Sequence, residues 1–342
     1  MKRPTIADIA VRARVSKGAV SYALNGQPGV SEATRARIVA IAEEMGWSPN
    51  SAARALSAAR TDTLGFCLSR PTSTLGLEPF FMEFISGIES ELSQSGKGLL
   101  LQMVSDHMAE LDVYRRWWSG RRVDGVIVAD LQVDDRRVPL LRELELPAVV
   151  AGGPLPEPDA LTHVWTDDAA TMTRVLEYLA GLGHRRIARV GGTPEFVHTA
   201  RRSEAFAEAT TRLGLTWWRT LTTDFSDAVG ASATRELLTA ATRPTAIIYD
   251  NDVMAVAGQG VARDLGLDVP GDVSLVAWDD SALCRLTHPA LTAMSRDVAA
   301  YGAHVARLLL AEVDGHAAPG QSVKQDDAVL VERATTAPPR VR

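Results

Sequence analysis

Residues 5–25 read TIADIAVRARVSKGAVSYALN and predict two short helices that meet at a tight turn. Thr5 and Asp8 form a capping-box pattern at the start of the first helix. An apolar stripe at helical spacing follows, made of Ile6, Ile9, Ala10 and Ala13. Only Arg14-Val15 separate this stripe from Ser16, an N-cap for the second helix. The inward face of that helix consists of Ala19, Val20, Ala23 and Leu24.

A third helical pattern completes this amino-terminal group. Asn25-Gly26 ends the second helix, Pro28-Gly29 forms a loop, and Ser31 caps a third helix. The apolar side chains of the third helix are Ile38, Ile41, Ala42 and Met45, and Gly46 ends it. This order of helices, turn and loop is typical of a helix-turn-helix DNA-binding domain. An ordinary three-helix bundle without a DNA partner has the same pattern and is the alternative.

The charge of the chain is divided unevenly. Residues 1–60 hold nine Lys and Arg against four Asp and Glu, a net charge of +5. The whole chain has 36 basic and 42 acidic residues, a net charge of −6, so the remainder carries −11. A small basic segment on a large acidic body indicates a polyanionic partner for that segment alone.

Length and composition exclude several classes of protein. With 342 residues, 46% of them hydrophobic, the chain can form two or three packed domains. The apolar runs are too short to span a bilayer, and Met1-Lys2-Arg3-Pro4 lead into no signal-peptide core. Cys67 and Cys284 are too few for a disulfide framework or a four-ligand zinc site. We therefore expect a soluble cytoplasmic protein without a cofactor, a metal or a membrane partner.

From Thr63 onward, short apolar runs alternate with amphipathic helical patterns. The strand-like runs are 64–68, 99–104, 125–129, 148–151, 187–190, 246–249 and 273–278. Helical patterns lie at about 80–95, 110–119, 168–182, 200–213, 227–240, 252–265 and 298–313. This order predicts two α/β lobes with parallel sheets and a cleft between them. Ligands of such sheets bind beyond the carboxyl ends of the strands.

The motifs of the chain resemble those of the lac repressor family. In the headpiece these are residues 5–10, 15–21, 24–25, 30–31, 34–35, 41–42, 46–50 and 53–56. In the body they include residues 79–81, 123–127, 182–187, 244–246, 251–255, 276–280 and 291–292. The resemblance implies a helix-turn-helix headpiece (1–48), a hinge (49–62) and a two-lobed, periplasmic-binding-protein-like α/β core (63–335). The first lobe then comprises about 63–165 and 297–323, and the second about 166–293 and 324–335.

The second helix of the headpiece is the one expected to enter the major groove of DNA. Its outward positions are Lys17, Gly18 and Tyr22, and Tyr22 stands where the family commonly has Arg. Lys17 can donate to a guanine edge or a phosphate, and Tyr22 can bond a base edge. Short polar side chains suited to phosphate contacts are Thr5, Ser16, Ser21, Asn25, Ser31, Thr34 and Asn50. Helix capping is their alternative role.

Residues 49–60 form an Ala-rich segment, helical by propensity and too short to be stable alone. In the family, this hinge folds into a helix on the operator, and a leucine from each copy wedges between base steps in the minor groove. Leu56 matches that leucine. The alternative is that Leu56 packs against the core of its own chain.

The resemblance also implies an effector site in the core. It consists of Trp165, Arg202, Phe225, Asn251, Trp278 and Asp279. Aromatic faces together with Arg, Asn and Asp side chains suit a sugar, which we favour over a purine as effector. Ser69 and Asp130, just after strands, are further candidates. An ordinary core position is the alternative for Trp165, and a capping role is the alternative for Asp279.

Three patterns raise the question of catalysis. The carboxylates of Asp167-Asp168 and Asp279-Asp280 are adjacent and point apart, so each pair is a poor acid–base couple. Gly191-Gly192 lacks the spacing of a phosphate-binding loop. His184 is better explained as a packed turn residue.

We therefore expect no enzyme, but a repressor that binds a pseudo-palindromic operator in double-stranded DNA as a homodimer. A small molecule bound between the lobes is expected to change its operator affinity. The alternative from another class is a solute-binding or sugar-processing protein with a helical appendage.

Overall fold

The computed structural model describes residues 4–47, 60–70, 76–155 and 161–340. The chain forms two compact units, Met1–Thr61 and Asp62–Arg342. The predicted hinge contacts Asn50 and Leu56 lie outside the described residues.

The first unit contains three helices, α1 (Ile6–Ala13), α2 (Lys17–Leu24) and α3 (Glu32–Glu44). Their starts are fixed by side chains, because the hydroxyl oxygens of Thr5, Ser16 and Ser31 accept backbone N–H groups three residues ahead. The predicted capping box is confirmed, since Thr5 N donates to Asp8 Oδ2 over 2.7 Å. The apolar stripes of the three helices meet in a small core around Ile9, Val20 and Ile38.

The second unit contains two lobes, and the first is built on a fully parallel sheet in the order β11-β5-β4-β3-β1-β2. Its strands are β1 (Thr63–Ser69), β2 (Gly98–Val104), β3 (Gly125–Val128), β4 (Ala148–Ala151), β5 (Thr162–Trp165) and β11 (Ser322–Lys324). Its helices are α4 (Pro79–Gln94), α5 (His107–Ser119), α6 (Arg137–Glu143) and α12 (Val298–Val313).

The second lobe has the strand order β12-β10-β9-β8-β6-β7. Its strands are β6 (Arg186–Gly191), β7 (Trp217–Thr222), β8 (Ala246–Tyr249), β9 (Ser274–Trp278), β10 (Thr292–Ser295) and β12 (Val329–Val331). β12 runs antiparallel to β10, and the other strands pair in parallel. Its helices are α7 (Asp168–Gly181), α8 (Val197–Arg212), α9 (Asp227–Thr239), α10 (Asp252–Asp264) and α11 (Ala282–Leu286).

Each sheet is covered by apolar side chains on both faces, as parallel sheets require. In the first lobe, α4 and α12 pack so closely that each helix has a glycine at the contact. A Cβ atom on Gly87 would lie 1.9 Å from the carbonyl oxygen of Ala299. One on Gly302 would lie 2.1 Å from that of Phe84. This close contact ties a carboxy-terminal helix to the amino-terminal part of the core.

The predicted α/β architecture is confirmed, and all seven strand-like runs form strands. The pattern did not reveal β5, β7, β10, β11 and β12, nor the short helices α6 and α11. β7 lies at a sheet edge, where its side chains are half-buried or exposed and carry no continuous apolar run. α6 contains Pro139, which breaks the helical pattern in the sequence.

Candidate functional site

In the headpiece, α2 presents a polar face to solvent. Lys17, Gly18 and Tyr22 are all exposed, while Val20 and Ala23 on the opposite face are buried. The side chain of Tyr22 is 47% exposed, and an added Cβ on Gly29 would lie 3.4 Å from its ring. The predicted outward positions thus lie together on one accessible surface, as a helix that reads the major groove requires.

Arg35 of α3 fixes the carboxyl end of α2. Its Nη1 donates to the carbonyl oxygen of Ala23 over 2.9 Å, and its Nη2 donates to that of Gln27 over 2.8 Å. The first of these carbonyls lies in the last turn of α2 and the second in the loop that follows. Arg35 therefore orients the exposed face of α2 relative to the other two helices.

The predicted phosphate-contacting side chains have local partners in the free headpiece. Ser16, Ser31 and Thr5 cap the helices, Thr34 Oγ1 lies 2.9 Å from Ser31 Oγ, and Asn25 Nδ2 donates to Ser21 Oγ over 3.3 Å. The capping alternative is confirmed for Thr5, Ser16 and Ser31. A hydroxyl that accepts a backbone N–H can still donate to a phosphate oxygen.

In the core unit, a cleft lies between the lobes at the carboxyl ends of the strands, with a cavity volume of about 80 Å³. Residues that follow β1, β3, β8, β9 and β10 line it, as expected for ligand sites of parallel sheets. The polar lining consists of Arg70, Glu78, Asp130, Thr166, Asp168, His198, Arg202, Asp250, Asp279 and Arg296. The aromatic lining consists of Phe80, Phe81, Phe84, Phe225 and Tyr301.

Three arginines of the cleft lining each contact an aspartate of the lining. Arg70 Nε donates to Asp130 Oδ2 over 2.8 Å, and Arg202 Nε donates to Asp168 Oδ1 over 2.8 Å. Arg296 Nε donates to Asp279 Oδ1 over 2.9 Å. These charge-assisted bonds hold both partners in place and leave further oxygens and N–H groups for a ligand.

A fourth pair lies beneath the cleft. Arg189 and Asp250 are fully buried and joined by two hydrogen bonds, one of 2.8 Å from Arg189 Nε to Asp250 Oδ1. Burial opposes ionisation, but the charges of Arg189 and Arg202 hold the pKa of Asp250 below its usual value. Asp250 also accepts the N–H of Gly192 over 3.1 Å. This pair therefore ties the ends of β6 and β8 together beneath the cleft.

Aromatic rings surround the guanidinium groups. The Cζ atom of Arg70 lies 4.7 Å from the ring centroid of Phe196 and 4.8 Å from that of Phe225. The guanidinium of Arg202 lies 3.9 Å from the ring of Trp278. Arg70 follows β1 of the first lobe while both of its rings belong to the second, so this contact joins the lobes.

Three residues of the cleft lining have a left-handed backbone. The φ angles are +50° at Asp130, +69° at Phe225 and +66° at Asp279. None is glycine, so each conformation costs free energy that the surrounding contacts must offset. Such residues concentrate at functional sites, which supports the cleft as a ligand site.

The lobes also touch directly through an interlobe bridge formed by residues 131–133 and 195–197. Val133 N donates to Glu195 O over 2.9 Å, and Val197 N donates to Leu131 O over 2.8 Å. The lobes are therefore in direct contact at the edge of the cleft, where Leu131 and Val197 also line the cavity.

The structure brings three of the six predicted effector contacts, Arg202, Phe225 and Asp279, into the cleft lining. Trp278 lies directly beneath Arg202. Asn251 caps α10 by accepting Met254 N over 2.9 Å, and its Nδ2 donates to Phe225 O over 3.0 Å. Trp165 lies on β5, where its Nε1 donates to Ser322 Oγ of β11 over 3.2 Å. Of the two further candidates, Asp130 lines the cleft and Ser69 does not.

Sequence reasoning missed several lining residues. Arg70 directly follows β1, which the sequence predicted, and this position after a carboxyl end was the available signal. Arg296 directly follows β10, which the apolar pattern did not reveal. Glu78 and Phe80 lie at the start of α4, and His198 at the start of α8, where no strand-end signal exists. Burial and the charge of Arg202 lower the pKa of His198 to about 4, so this ring is neutral at pH 7.

The catalytic patterns are accounted for by packing. Asp167 caps α7, Asp168 and Asp279 pair with arginines of the cleft, and Asp280 pairs with Arg333 over 2.7 Å. His184 is buried, with Nδ1 2.9 Å from Thr245 Oγ1 and Nε2 3.0 Å from Ala337 O, as predicted for a packed turn residue. Across the part of the chain that the structure describes, no cluster of side chains is arranged to hold a metal ion. No helix in that part is long and apolar enough to cross a membrane.

Comparisons with known proteins point to one family. Residues 5–50 match the model of bacterial regulatory proteins of the lacI family, and residues 176–336 match a periplasmic binding protein-like domain. The HTH-type transcriptional regulator CelR of Thermobifida fusca is 33% identical over 317 residues, which are 92% of this chain and 93% of that protein.

Two solved structures extend the likeness. A complex of the transcriptional regulator CelR with cellobiose has a TM-score of 0.74 at 30% identity, covering 97% of this chain and 100% of its own. A lac repressor dimer bound to operator and the anti-inducer ONPF has a TM-score of 0.86, covering 98% of this chain and 100% of its own. At 24% identity, this second structure shows a shared fold.

Proposed function

The chain belongs to the lacI family of bacterial regulatory proteins, and from this membership we propose that it is a repressor controlled by a sugar bound between its lobes. It is a DNA-binding transcriptional regulator, as its relatives are. The proposal adds that it binds a pseudo-palindromic operator as a homodimer in the cytoplasm, where operator DNA lies.

The observation that carries the DNA-binding role is the exposed face of α2. Lys17 and Tyr22 project from this helix within a segment whose net charge is positive, while the body is acidic. Attraction to phosphates then acts on the headpiece alone, and the side chains of α2 supply selectivity for bases. One α2 helix covers one half-site, so a dimer on a two-fold symmetric site doubles the contact.

Exposed apolar side chains of the core support a second copy as partner. Leu286 at the end of α11 is 75% exposed, and Met82 of α4 is 54% exposed. Covering such side chains is favourable at about 25 cal/mol per Å² of apolar area.

A sugar is favoured as effector by the chemistry of the cleft. Aromatic rings pack on the C–H faces of sugars, and fixed carboxylates and guanidiniums accept from and donate to hydroxyls. The similar regulator CelR was solved in complex with cellobiose. A purine would also stack on the rings, so purines belong in the same screen.

The cleft binds rather than catalyses in this proposal. Asp130, Asp168, Asp250 and Asp279 each accept a hydrogen bond from an arginine. Burial opposes ionisation, but the neighbouring arginines hold the pKa of Asp130 and of Asp250 below its usual value, which does not suit these two groups to donate a proton. The relatives are transcriptional regulators.

Selection from a pool of randomised duplexes tests the operator proposal with the full chain. We expect enrichment of a two-fold symmetric site whose affinity falls steeply with salt, and a changed base preference in the Tyr22→Ala variant. Thr239→Ala, on the core helix α9, is the matched control. Enrichment of no sequence, or an unchanged preference in Tyr22→Ala, contradicts the assignment of α2.

A thermal-shift screen with sugars and purines identifies the effector. A ligand of the closed cleft raises the unfolding temperature, because it binds the folded core and not the unfolded chain. Stabilisation by purines alone contradicts the sugar assignment.

A further inference from the structure

Among the described residues that line the cleft, Glu78 is the one carboxylate that forms no ion pair with an arginine or a lysine. The four aspartates of the lining each bond an arginine. Each of these pairs has no net charge, so an ionised Glu78 would leave one negative charge buried and uncompensated. A buried charge without a counter-ion is costly, whereas its protonated form is not.

Glu78 lies in the first lobe and reaches the second. Its Oε1 accepts from Asn251 Nδ2 over 3.4 Å. The same amide donates to the carbonyl oxygen of Phe225, and its oxygen caps α10, so Asn251 has little freedom to move. Glu78 thus meets a fixed part of the second lobe when the lobes close.

The second oxygen of Glu78 is buried without a hydrogen-bond partner. Glu78 is 8% exposed, and its Oε2 has no partner in the structure. Since Glu78 also lines the cavity, a ligand there can supply the missing bond. A buried polar atom of this kind is expensive until it is satisfied.

Charged groups face Glu78 from several elements. Arg70 after β1 favours its ionised form, while Asp130 after β3 and Asp279 after β9 disfavour it. Burial is the largest influence and raises the pKa of Glu78 to about 7, whereas a glutamate in water titrates near 4.5. Since Asn251 and Asp279 belong to the second lobe, separating the lobes would take both away from Glu78 and expose it to water.

We propose that Glu78 takes up one proton from solvent when the lobes close around a neutral effector, and that its second oxygen bonds a hydroxyl of that effector. This inference rests on the proposed role of the cleft as effector site. The carboxylate and the proton become a neutral carboxylic acid, which can both donate and accept a hydrogen bond. A cationic effector is disfavoured, because the guanidiniums of Arg70 and Arg296 already lie against the aromatic rings.

A disulfide across the interlobe bridge tests the link between closure and proton uptake without any ligand. Gln132 and Phe196 face each other as an antiparallel pair, so the Gln132→Cys/Phe196→Cys variant can be locked by oxidation and released by reduction. The ¹³C signal of the Glu78 carboxyl, assigned by its loss in Glu78→Gln, reports the protonation state. Should the disulfide fail to form, the carboxyl of Glu78 is titrated in the wild-type chain with and without cellobiose, and a rise of the midpoint on binding is expected.

We expect a titration midpoint near neutral pH in the oxidised form and a lower midpoint after reduction. A midpoint near that of a free glutamate in the locked form overturns the proposal. An equal midpoint in the two forms overturns its link to closure.

Calorimetric titration with cellobiose at pH 6 and at pH 8 tests the contact between Glu78 and the effector. For the wild-type chain we expect about tenfold weaker binding at pH 8, since closure then requires a proton that is scarce. The Glu78→Gln variant, which carries no ionisable group there, should bind equally at both pH values. Glu89→Gln, on the exposed face of the same helix, should behave as the wild type.

The two proposals fail in different ways. An equal pH dependence in wild type and Glu78→Gln overturns the role of Glu78 while leaving a sugar site intact. If cellobiose binds at neither pH, the sugar assignment is contradicted instead. Proton uptake by Glu78 is then tested by the titration of the disulfide-locked variant, which needs no ligand.

Discussion

The headpiece and the cleft of the core differ in how their polar side chains are exposed and paired. In the headpiece, Lys17 and Tyr22 are exposed on a helix held by caps and by a core centred on Ile9, Val20 and Ile38. In the cleft, arginines and aspartates are buried and paired, as Arg202 and Asp168 are. The exposed face of α2 has its long polar side chains free, whereas the cleft has them tied to the fold.

This difference follows from what each partner contributes. A DNA duplex brings its own charged surface and covers the side chains of α2 only when it binds. A small ligand cannot exclude water by itself, so the protein must build a buried site in advance and neutralise the charges it buries. Substitutions in the headpiece should therefore change binding more than stability, and those in the cleft should change both.

The largest effect is expected for the buried pair beneath the cleft. Replacing Arg189 by Met leaves Asp250 buried without its counter-ion, and we expect a loss of about 3–5 kcal/mol in the free energy of unfolding. Arg219→Met is the matched control, because Arg219 of the neighbouring strand β7 pairs with Glu236 on the surface. Urea denaturation should show less than about 1 kcal/mol for this control. Equal losses of unfolding free energy in the two variants would show that burial does not determine the contribution of an ion pair to stability.

A second prediction concerns acid pH. Burial lowers the pKa of His184 to about 4, against 6.5 in an unfolded chain, so the folded core keeps this ring neutral. The unfolded state therefore takes up a proton first, and stability is lost as the pH falls from 6.5 to 4. The free energy of unfolding of the wild type relative to His184→Gln should decrease by up to about 3 kcal/mol over this range. A difference that does not change with pH would contradict the account of His184.

Substitutions on the exposed face of α2 should have a smaller effect, and this effect should be on operator binding rather than on stability. Lys17→Ala and Tyr22→Ala should each weaken operator binding by about 1–3 kcal/mol while changing the free energy of unfolding by less than about 0.5 kcal/mol. Gel-shift titrations and urea denaturation measure the two quantities on the same samples. A stability loss as large as the binding loss would mean that these side chains support the fold rather than read DNA.

The smallest effect is expected for a surface ion pair of the headpiece. Arg12 of α1 contacts Glu44 of α3, and both side chains are at least half exposed. Glu44→Ala should therefore cost less than about 0.5 kcal/mol, and this cost should vanish at high salt. A cost comparable to that of Arg189→Met would remove the distinction between exposed and buried pairs.

The sequence predicted most of the headpiece because its determinants are local. The caps at Thr5, Ser16 and Ser31 act on backbone groups three residues away, so their spacing is visible in the chain. The central strands were visible for a similar reason, since strands buried on both faces are continuous apolar runs. Edge strands such as β7 lack that run and were missed.

The cleft was only partly predictable because its contacts are distant in the sequence. Arg202 and Asp279 were identified individually, but their partners turned out to be Asp168 and Arg296. Asn251 was identified as an effector contact, and the structure shows it as a cap that also reaches Glu78. Such pairings depend on where two lobes meet, which no local pattern specifies.

The most direct test of the account asks whether the cleft controls the headpiece. Operator affinity of the full chain is measured with and without the ligand found in the thermal-shift screen, for the wild type and for Asp279→Ala. The account predicts that the ligand changes operator affinity of the wild type by about 5–150-fold, a coupling of about 1–3 kcal/mol. It predicts that Asp279→Ala binds the operator as the wild type does and no longer responds. A variant that responds as fully as the wild type would contradict the assignment of the cleft as the controlling site.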